Sequence, residues 1–290
     1  MKRIIILLSF MQIVNSVSAK HKTIVSISAP CSLSVAFLRM MRQRGDFVVV
    51  HEPGLLAWRM HKHPEKVDHD TYRHEASLFS EVSEQMKKLI EDHNVFIKEE
   101  FYAAAHYLHE LYDYSKVSVI FLLRNPHHIL LSLYNKVKGK IPSAIVDYDA
   151  MLQLFELCEQ KNKRRPFIIY TEDLTENPSK IIEQFCTYAD IPFKEESLHW
   201  EDLSSNFINS EIWYDSVHAR FDKTWHGNAW KSTGFIEHNK EYAIDKNSNP
   251  TFEEIEDAEL RAEYLKLYHA MRPAYQRFMN MYHAQQKDLS

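Results

Sequence analysis

The chain has 290 residues, of which 45% are hydrophobic and 12% aromatic, and its formal charge is −5 at pH 7. That length allows one large domain or two small ones, with ample apolar material for a core. Because the net charge is negative and basic residues cluster only locally, we expect no nucleic-acid partner. The three cysteines are far apart and lack metal-binding spacing, so we expect no bound metal, and buried thiols at Cys158 and Cys186.

The amino terminus differs from the rest of the chain. Lys2 and Arg3 precede an apolar run at 4–14, and small residues lead up to Ala19. This layout is typical of a secretory signal, and the run is shorter than the roughly 20 residues that a membrane-spanning helix needs. We therefore predict a signal peptide or leader at 1–19 and export from the cell, with no transmembrane helix in the mature chain. The alternatives are a cytoplasmic protein with an uncleaved leader, and an extra segment that packs on the domain.

After the leader, short β-branched runs alternate with amphipathic segments. The predicted strands are 23–29, 47–50, 95–98, 117–123 and 167–170. The predicted helices are 35–44, 75–92, 101–113, one opening at Asn125-Pro126, 147–162, 178–189 capped by Asn177, and one or two within 252–285, bent near Pro273. This alternation predicts an α/β fold, a three-layer α/β/α sandwich around a mostly parallel central sheet.

The chain shows no internal repeat and no low-complexity linker. We therefore predict a single domain over 20–290. Residues 195–250 are rich in aromatic and polar side chains and lack clear periodicity, so they are predicted to form a lid over the site. The sequence does not indicate an oligomeric state.

The predicted strand at 117–123 ends at Arg124, and the helix that follows carries Ser132. An arginine at the carboxyl end of a strand stands where open α/β sheets bind ligands. Ser132 lies about two helical turns further on. An arginine fork and a hydroxyl so placed suit a phosphate monoester, whereas the alternative is an arginine salt-bridged at a strand end.

No Walker-type G-x-x-x-x-G-K-[ST] motif occurs, and the chain has only five glycines. A P-loop kinase-like enzyme would hold ATP and magnesium with such a loop. That class therefore remains only as a less favoured alternative.

Four segments together resemble the sulfotransferase family, whose members use 3′-phosphoadenosine 5′-phosphosulfate as donor. They are S-A-P-C-S-L-S-V-A-F-L-R at 28–39, the pair of Arg124 and Ser132, F-I-I-Y-T-E-D-L-T-E-N-P at 167–178 and T-W-H-G-N-A-W-K-S-T-G-F at 224–235. The similarity covers most of 23–235 and looks strongest to a bacterial branch of sulfotransferase-like proteins. It implies a P-loop NTPase-like fold of the sulfotransferase type, no metal, and sulfuryl transfer to a hydroxyl or amine of a small-molecule, glycan or peptide acceptor.

The resemblance assigns the 5′-phosphosulfate loop to Pro30, Cys31, Ser32, Leu33, Ser34 and Val35. A strand, a turn and a helix amino terminus bind anions through backbone N–H groups and the helix dipole. In this chain Cys31 replaces the family's usual Arg or Lys, Leu33 a common Gly, and Val35 a common Thr or Ser. The basic residue would stabilise charge on the leaving phosphate. Its loss keeps open a second function, a catalytically weak member of the fold that binds a nucleotide or a partner.

By the same resemblance, Arg124 and Ser132 hold the 3′-phosphate. The segment at 224–235 resembles a loop that covers the nucleotide, with contacts from Lys231, Ser232, Thr233 and Gly234. As glycines, Gly227 and Gly234 can adopt backbone conformations closed to other residues. The E-D-L element at Glu172 and Asp173 is predicted to be structural.

The resemblance implies a catalytic base at Glu52, with His51 as second choice, because both follow the second predicted strand, where the family often carries its base. Sulfuryl transfer needs a group that takes the acceptor's proton, and burial can raise a glutamate pKa towards neutrality. The alternative is a helix-capping glutamate paired with a surface lysine. Lys98 ends the third predicted strand and either lines the same cleft or is solvated.

Overall fold

The computed structural model describes residues 21–62, 77–112, 117–162, 164–201, 227–236 and 250–289. The leader predicted at 1–19 and much of the lid predicted at 195–250 lie outside these residues. Those two assignments, and the single domain over 20–290, stay predictions.

The central sheet has five strands, all parallel, in the order β2-β3-β1-β4-β5. They are β1 Thr23–Ser28, β2 Val48–His51, β3 Val95–Glu100, β4 Val117–Leu123 and β5 Phe167–Tyr170. The predicted parallel sheet is confirmed. The largest departure is β3, which continues two residues past the predicted end at Lys98 and includes Glu99 and Glu100.

Ten α-helices lie in the described residues. They are α1 Ser34–Gln43, α2 Leu55–Lys62, α3 Phe79–Asp92, α4 Phe101–Tyr112, α5 Pro126–Val137, α6 Tyr148–Asn162, α7 Thr171–Glu176, α8 Pro178–Ala189, α9 Gly227–Lys231 and α10 Ala258–Asp288. Short 3₁₀ turns occupy Ser143–Ile145 and Glu195–Leu198. The sequence did not predict α2, α7 or α9, which are too short for a clear helical period.

The structure corrects one predicted helix boundary and one predicted capping contact. The helix predicted from 252 begins at Ala258, where Asp257 Oδ1 accepts a hydrogen bond of 2.8 Å from Leu260 N, and it runs through Pro273 as one helix. Asn177 does occupy the N-cap position of α8, but its side chain makes no capping bond.

Alternate strand residues fill two cores, one on each side of the sheet. In β4, Val119 and Phe121 join a core built with α3, α4, α6 and α10, whereas Ile120 and Leu122 join a core built with α1 and α8. A parallel strand buried on both faces reads as a continuous apolar run. The three-layer α/β/α sandwich is therefore confirmed.

The thiols of Cys158 and Cys186 are both 1% exposed, as predicted. No helix in the described part of the chain combines the length and the apolar composition needed to cross a membrane.

Candidate active site

The predicted site residues meet at one edge of the sheet. The carboxyl ends of parallel strands share an edge, and β3 and β4 flank β1 on its two sides. That edge therefore gathers the loop after β1, His51 and Glu52 at β2, Lys98 at β3, and Arg124 after β4.

The loop after β1 has an unusual backbone. Cys31 and Leu33 both lie in the left-handed region, with φ of 65° and 57°. Glycine adopts that region without steric cost, which gives a physical reason for the glycine that related loops carry where this chain has Leu33. Leu33 is also the N-cap of α1, and no side chain caps the helix there.

This loop also holds an unsatisfied polar group. The Ser32 hydroxyl is fully buried and has no hydrogen-bond partner among the described residues. A buried polar atom without a partner is costly unless something else binds it. Ser34 and Val35 form the first turn of α1, where free backbone N–H groups and the helix dipole favour an anion. Pro30 and Cys31 are half-buried beside them.

Arg124 lies against this loop rather than apart from it. Its Nη1 donates a hydrogen bond to the Cys31 carbonyl, and its own carbonyl accepts one of 2.6 Å from the Tyr148 hydroxyl. Ser132 is half-buried on α5, two helical turns after the arginine. Arg124 therefore contacts the loop after β1, whereas Ser132 lies further along, on α5.

The start of α5 is fixed by side chains. Asn125 Oδ1 caps the helix by accepting a hydrogen bond of 3.0 Å from His127 N. Glu172 Oε1 accepts one of 3.1 Å from Asn125 N and lies 2.9 Å from His128 Nδ1. Burial and the neighbouring His128 lower the pKa of His127 to about 4, so its ring is neutral near pH 7.

Asp173 follows Glu172 in α7, and its Oδ2 accepts a hydrogen bond of 2.6 Å from the Tyr282 hydroxyl on α10. Both carboxylates of the E-D-L element therefore hold neighbouring elements in place, in agreement with the structural roles predicted for Glu172 and Asp173.

The densest group of charges lies at the ends of β2 and β3. The Lys98 ammonium donates a hydrogen bond to Glu52 Oε1 and another of 2.6 Å to Glu100 Oε1. His51 Nε2 lies 3.6 Å from Glu52 Oε1. Lys98 is only 1% exposed, so the solvated lysine of the sequence alternative is excluded, and Glu52 pairs with a buried lysine rather than a surface one.

Glu99 connects this group of charges to the neighbouring backbone and to α4. Its Oε2 accepts hydrogen bonds of 2.7 Å from Gly54 N and 3.1 Å from the Tyr107 hydroxyl, and its Oε1 accepts one of 2.9 Å from Glu100 N. We refer to Glu52, Lys98, Glu99 and Glu100 as the carboxylate cluster.

One carboxylate oxygen of the cluster makes no hydrogen bond to the described residues. Glu100 Oε2 is buried and has no hydrogen-bond partner among the described residues. Ser28 pairs with Glu100 in the β1–β3 register, and Ser26 pairs with Lys98, so these side chains share one face of the sheet. Ile24 lies on the same face of β1 and belongs to the core that includes α1, so this is the face that α1 covers. Since α1 begins at the loop after β1, Glu100 faces the layer that carries the loop.

Burial sets the protonation of the cluster. It raises the pKa of Glu100 to about 7; Lys98 opposes this rise and Glu52 adds to it. Burial also raises the pKa of Glu99 to about 8, with a further contribution from the Glu52 carboxylate. Burial by itself would lower the pKa of Lys98, but Glu100 and Glu52 outweigh it and raise that pKa above its ordinary value. At neutral pH the cluster therefore combines a charged lysine with carboxyls able to gain or lose a proton.

The segment predicted to cover the nucleotide is described at 227–236, which we call the strap. Lys231 and Thr233 are exposed, as phosphate contacts would require, but Ser232 is 8% exposed. The Ser232 hydroxyl donates a hydrogen bond of 2.7 Å to the Ala229 carbonyl and accepts one of 3.4 Å from Trp200 Nε1. In this conformation the hydroxyl holds the strap together, and the phosphate contact of Ser232 stays a prediction.

The two strap glycines have ordinary backbone conformations. Gly227 is the first residue of α9, a helical position, and Gly234 has no positive φ. What restricts Gly234 is space, since a Cβ atom there would lie 3.3 Å from the Leu198 carbonyl oxygen. Left-handed backbone conformations at the site occur at Cys31, Leu33 and Glu52.

Sequence reasoning missed Glu99 and Glu100, because it ended the third strand at Lys98. Charged residues normally mark the end of a buried strand. Here they continue it, because Glu100 pairs with Lys98 and Glu99 accepts hydrogen bonds from Gly54 and Tyr107. Their position at a strand end was the available signal, the same one that identified Arg124. No cluster of three or more potential metal-ligating His, Cys, Asp or Glu side chains occurs among the residues that the structure describes.

Comparisons with known proteins agree with this architecture. A family model described as a sulfotransferase domain matches residues 22–243. A search of curated proteins found no match.

Three solved structures are similar. The sulfotransferase domain from the curacin biosynthetic pathway has 16% identity and a TM-score of 0.45 over 86% of this chain and 97% of its own. The sulfotransferase domain of the Synechococcus PCC 7002 olefin synthase has 12% identity and a TM-score of 0.39, covering 86% and 95%. Mouse sulfotransferase SULT7A1 complexed with PAP has 14% identity and a TM-score of 0.40, covering 80% and 70%.

These TM-scores are below 0.5, so the assignment of the chain to a protein family rests on the match to the family model. Because that model spans most of the chain, the protein belongs to the sulfotransferase domain family and is a sulfotransferase enzyme.

Proposed function

We propose that the protein transfers a sulfuryl group from 3′-phosphoadenosine 5′-phosphosulfate to a hydroxyl or amine acceptor. The observation that carries this proposal is the unpartnered Glu100 Oε2, on the face of the sheet where α1 and its anion-binding loop lie. A proton acceptor and an anion site on one sheet edge are the two elements that sulfuryl transfer requires.

The residues present suit the donor. The buried Ser32 hydroxyl without a partner and the uncapped start of α1 offer donors to the 5′-phosphosulfate. Arg124 has guanidinium N–H groups beyond the one bound to the Cys31 carbonyl, and with Ser132 it would hold the 3′-phosphate. When bound, the donor supplies a sulfuryl group activated by a phosphate leaving group.

We place the general base at Glu100 rather than at Glu52, with His51 as a weaker alternative. Glu100 Oε2 would take the acceptor proton as the acceptor oxygen or nitrogen bonds to sulfur and the bond from sulfur to the phosphate oxygen breaks. The Glu100 pKa of about 7 suits a base at neutral pH. Glu52 would hold Lys98 in place from the opposite side.

Lys98 can compensate for the cation missing at Cys31. An ammonium group has three N–H donors, and two are bound to Glu52 and Glu100. The third is available to a sulfuryl oxygen. Lys98 lies on β3, next to β1 and opposite Ser26, on the face that α1 covers.

A second candidate is a donor-binding protein with little turnover, favoured by the thiol at Cys31. The two are separated by measuring donor-dependent release of adenosine 3′,5′-bisphosphate with hydroxyl and amine acceptors. Release by the wild-type protein, increased in Cys31→Arg, supports the transferase. Tight binding of the bisphosphate with no release from either protein supports the second candidate.

We also propose that residues 1–19 direct export. A fusion of these residues to a reporter that is active only outside the cytoplasm tests this, and a silent reporter that accumulates inside the cell contradicts it.

A further inference from the structure

Helix α1 connects two parts of the proposed donor site. Its first turn follows the phosphosulfate loop, and one and a half turns further on lies Arg39, which is 2% exposed. Arg39 Nη1 donates hydrogen bonds of 2.6 Å to the Ala229 carbonyl and 2.9 Å to the Ser232 carbonyl. Its Nη2 donates to the Glu201 carbonyl. One buried guanidinium thus bonds to two segments that are distant in sequence.

The strap depends on these bonds. The last carbonyls of a helix have no partner within it, and α9 has only five residues. Arg39 supplies donors to the carbonyl of Ala229 in α9 and to that of Ser232 just beyond it. A lysine could not do the same, because only the planar guanidinium presents several N–H groups in a fixed fork.

Trp200 completes the attachment. Its ring centroid lies 5.6 Å from the Arg39 guanidinium carbon, within cation–π range. Trp200 N donates a hydrogen bond of 3.2 Å to the Thr233 carbonyl, and its ring packs edge-on against Phe235 at 5.2 Å. The exposed Lys231 and Thr233 are therefore carried on a segment whose position relative to α1 is set at Arg39 and Trp200.

We propose that Arg39 is a positioning residue for donor binding. It fixes the strap against the helix that begins at the phosphosulfate loop, so that loop and strap bind the donor as one unit. This inference rests on the proposed function. It assigns no contact between Arg39 and the donor, and it predicts that losing the arginine weakens donor binding through the strap.

The test compares Arg39→Met with Arg44→Met. Arg44 is also a buried arginine at the end of α1, but it bonds to Asp46, at 3.1 and 3.0 Å, and not to the strap. The affinity for adenosine 3′,5′-bisphosphate is measured by calorimetry, and amide hydrogen exchange is followed in peptides from 227–236. We expect Arg39→Met to weaken binding by about tenfold or more and to speed exchange in the strap, since charged hydrogen bonds are lost. Arg44→Met should change neither.

Three outcomes would overturn the inference. One is a folded Arg39→Met that binds like the wild type. Another is strap exchange that stays slow in that variant, and the third is an equal loss of binding in Arg44→Met. If Arg39→Met does not fold, Arg39→Lys is used, which keeps the charge but not the fork, and wild-type affinity in that variant overturns the proposal. A wild-type protein that does not bind the bisphosphate at all refutes the proposed function instead, and the exchange measurement still reports whether Arg39 holds the strap.

Discussion

At the scale of single residues, the two carboxylates that share Lys98 are in different situations. Glu52 is at φ 47°, and its backbone N–H donates a hydrogen bond of 2.7 Å to the Lys98 carbonyl, so the residue is fixed at both backbone and side chain. Glu100 uses one carboxylate oxygen for Lys98 and leaves the other without a protein partner. This difference is the reason that we propose Glu100 as the base, in place of Glu52, which the sequence predicted.

Glu100→Gln should lower turnover by about 10²–10⁴-fold while leaving the donor affinity within about twofold, because a general base acts on the acceptor. Initial rates with saturating donor, together with calorimetry of the bisphosphate, check this. Glu52→Gln is the matched control and should keep an acidic limb in its pH–rate profile, displaced below 7 because the Glu52 carboxylate contributes to the raised pKa of Glu100. Loss of that limb in Glu52→Gln, with normal kinetics in Glu100→Gln, would return the base to Glu52.

At the scale of elements, the turn between β2 and α2 is held by the cluster. Gly54 lies in this turn, and a Cβ atom added there would lie 2.8 Å from Tyr107 Cε1 and 2.9 Å from Glu99 Oε2. Neither atom can move easily, because the hydroxyl of Tyr107 and the carboxylate of Glu99 are hydrogen-bonded to each other inside the core.

Gly54→Ala should therefore lower the free energy of unfolding by about 1–3 kcal/mol, as overpacked sites do. Gly139→Ala is the control, since its Cβ would meet nothing closer than 3.8 Å. Urea denaturation of both variants provides the comparison. An unchanged midpoint for Gly54→Ala would mean that the turn is looser than the structure shows.

The elements also show what sequence could and could not predict. All five strands were found because apolar β-branched runs ending in polar residues are a strong local signal, and Arg124 was found at the end of the most regular one. Glu99 and Glu100 were missed because their burial depends on Lys98, Gly54 and Tyr107, partners that only the fold brings together.

At Ser232 in the strap, the structure shows contacts that the sequence did not indicate. A serine beside a lysine and a threonine suggests phosphate contacts, and no local pattern reveals that its hydroxyl turns inward to Ala229 and Trp200. Arg39 gave no signal either. It lies in an ordinary amphipathic helix, and its importance comes from carbonyls about 190 residues away in sequence.

At the scale of the whole molecule, the buried carboxyls should make stability depend on pH. Their folded pKa values, about 8 for Glu99 and about 7 for Glu100, lie above the ordinary glutamate value of 4.5. Between the ordinary and the folded pKa values, the folded protein therefore binds more protons than the unfolded chain. The free energy of unfolding falls as pH rises through this range. His127 acts in the opposite direction, because its pKa is lowered from 6.5 to about 4, but most of that effect lies below pH 6.5.

Between pH 6.5 and pH 8 the free energy of unfolding should therefore fall by about 1–3 kcal/mol, at up to ~1.4 kcal/mol per pH unit for each proton released. Urea denaturation at both pH values measures this, and Glu100→Gln should show a smaller fall than the wild type. A stability that rises over this interval would contradict the protonation assigned to the cluster.

The central claim is that the sheet edge binds a 3′-phosphorylated adenosine nucleotide through the loop after β1 and Arg124, without a metal. The most direct test is calorimetric titration with adenosine 3′,5′-bisphosphate in the presence of a chelator, for the wild type, Arg124→Ala and Ser132→Ala. The account predicts metal-independent binding that weakens by about tenfold or more in Arg124→Ala, as expected for loss of a charge-assisted phosphate contact, and by less in Ser132→Ala. Equal affinity in the wild type and Arg124→Ala, or binding of ATP with magnesium in place of the bisphosphate, would contradict it.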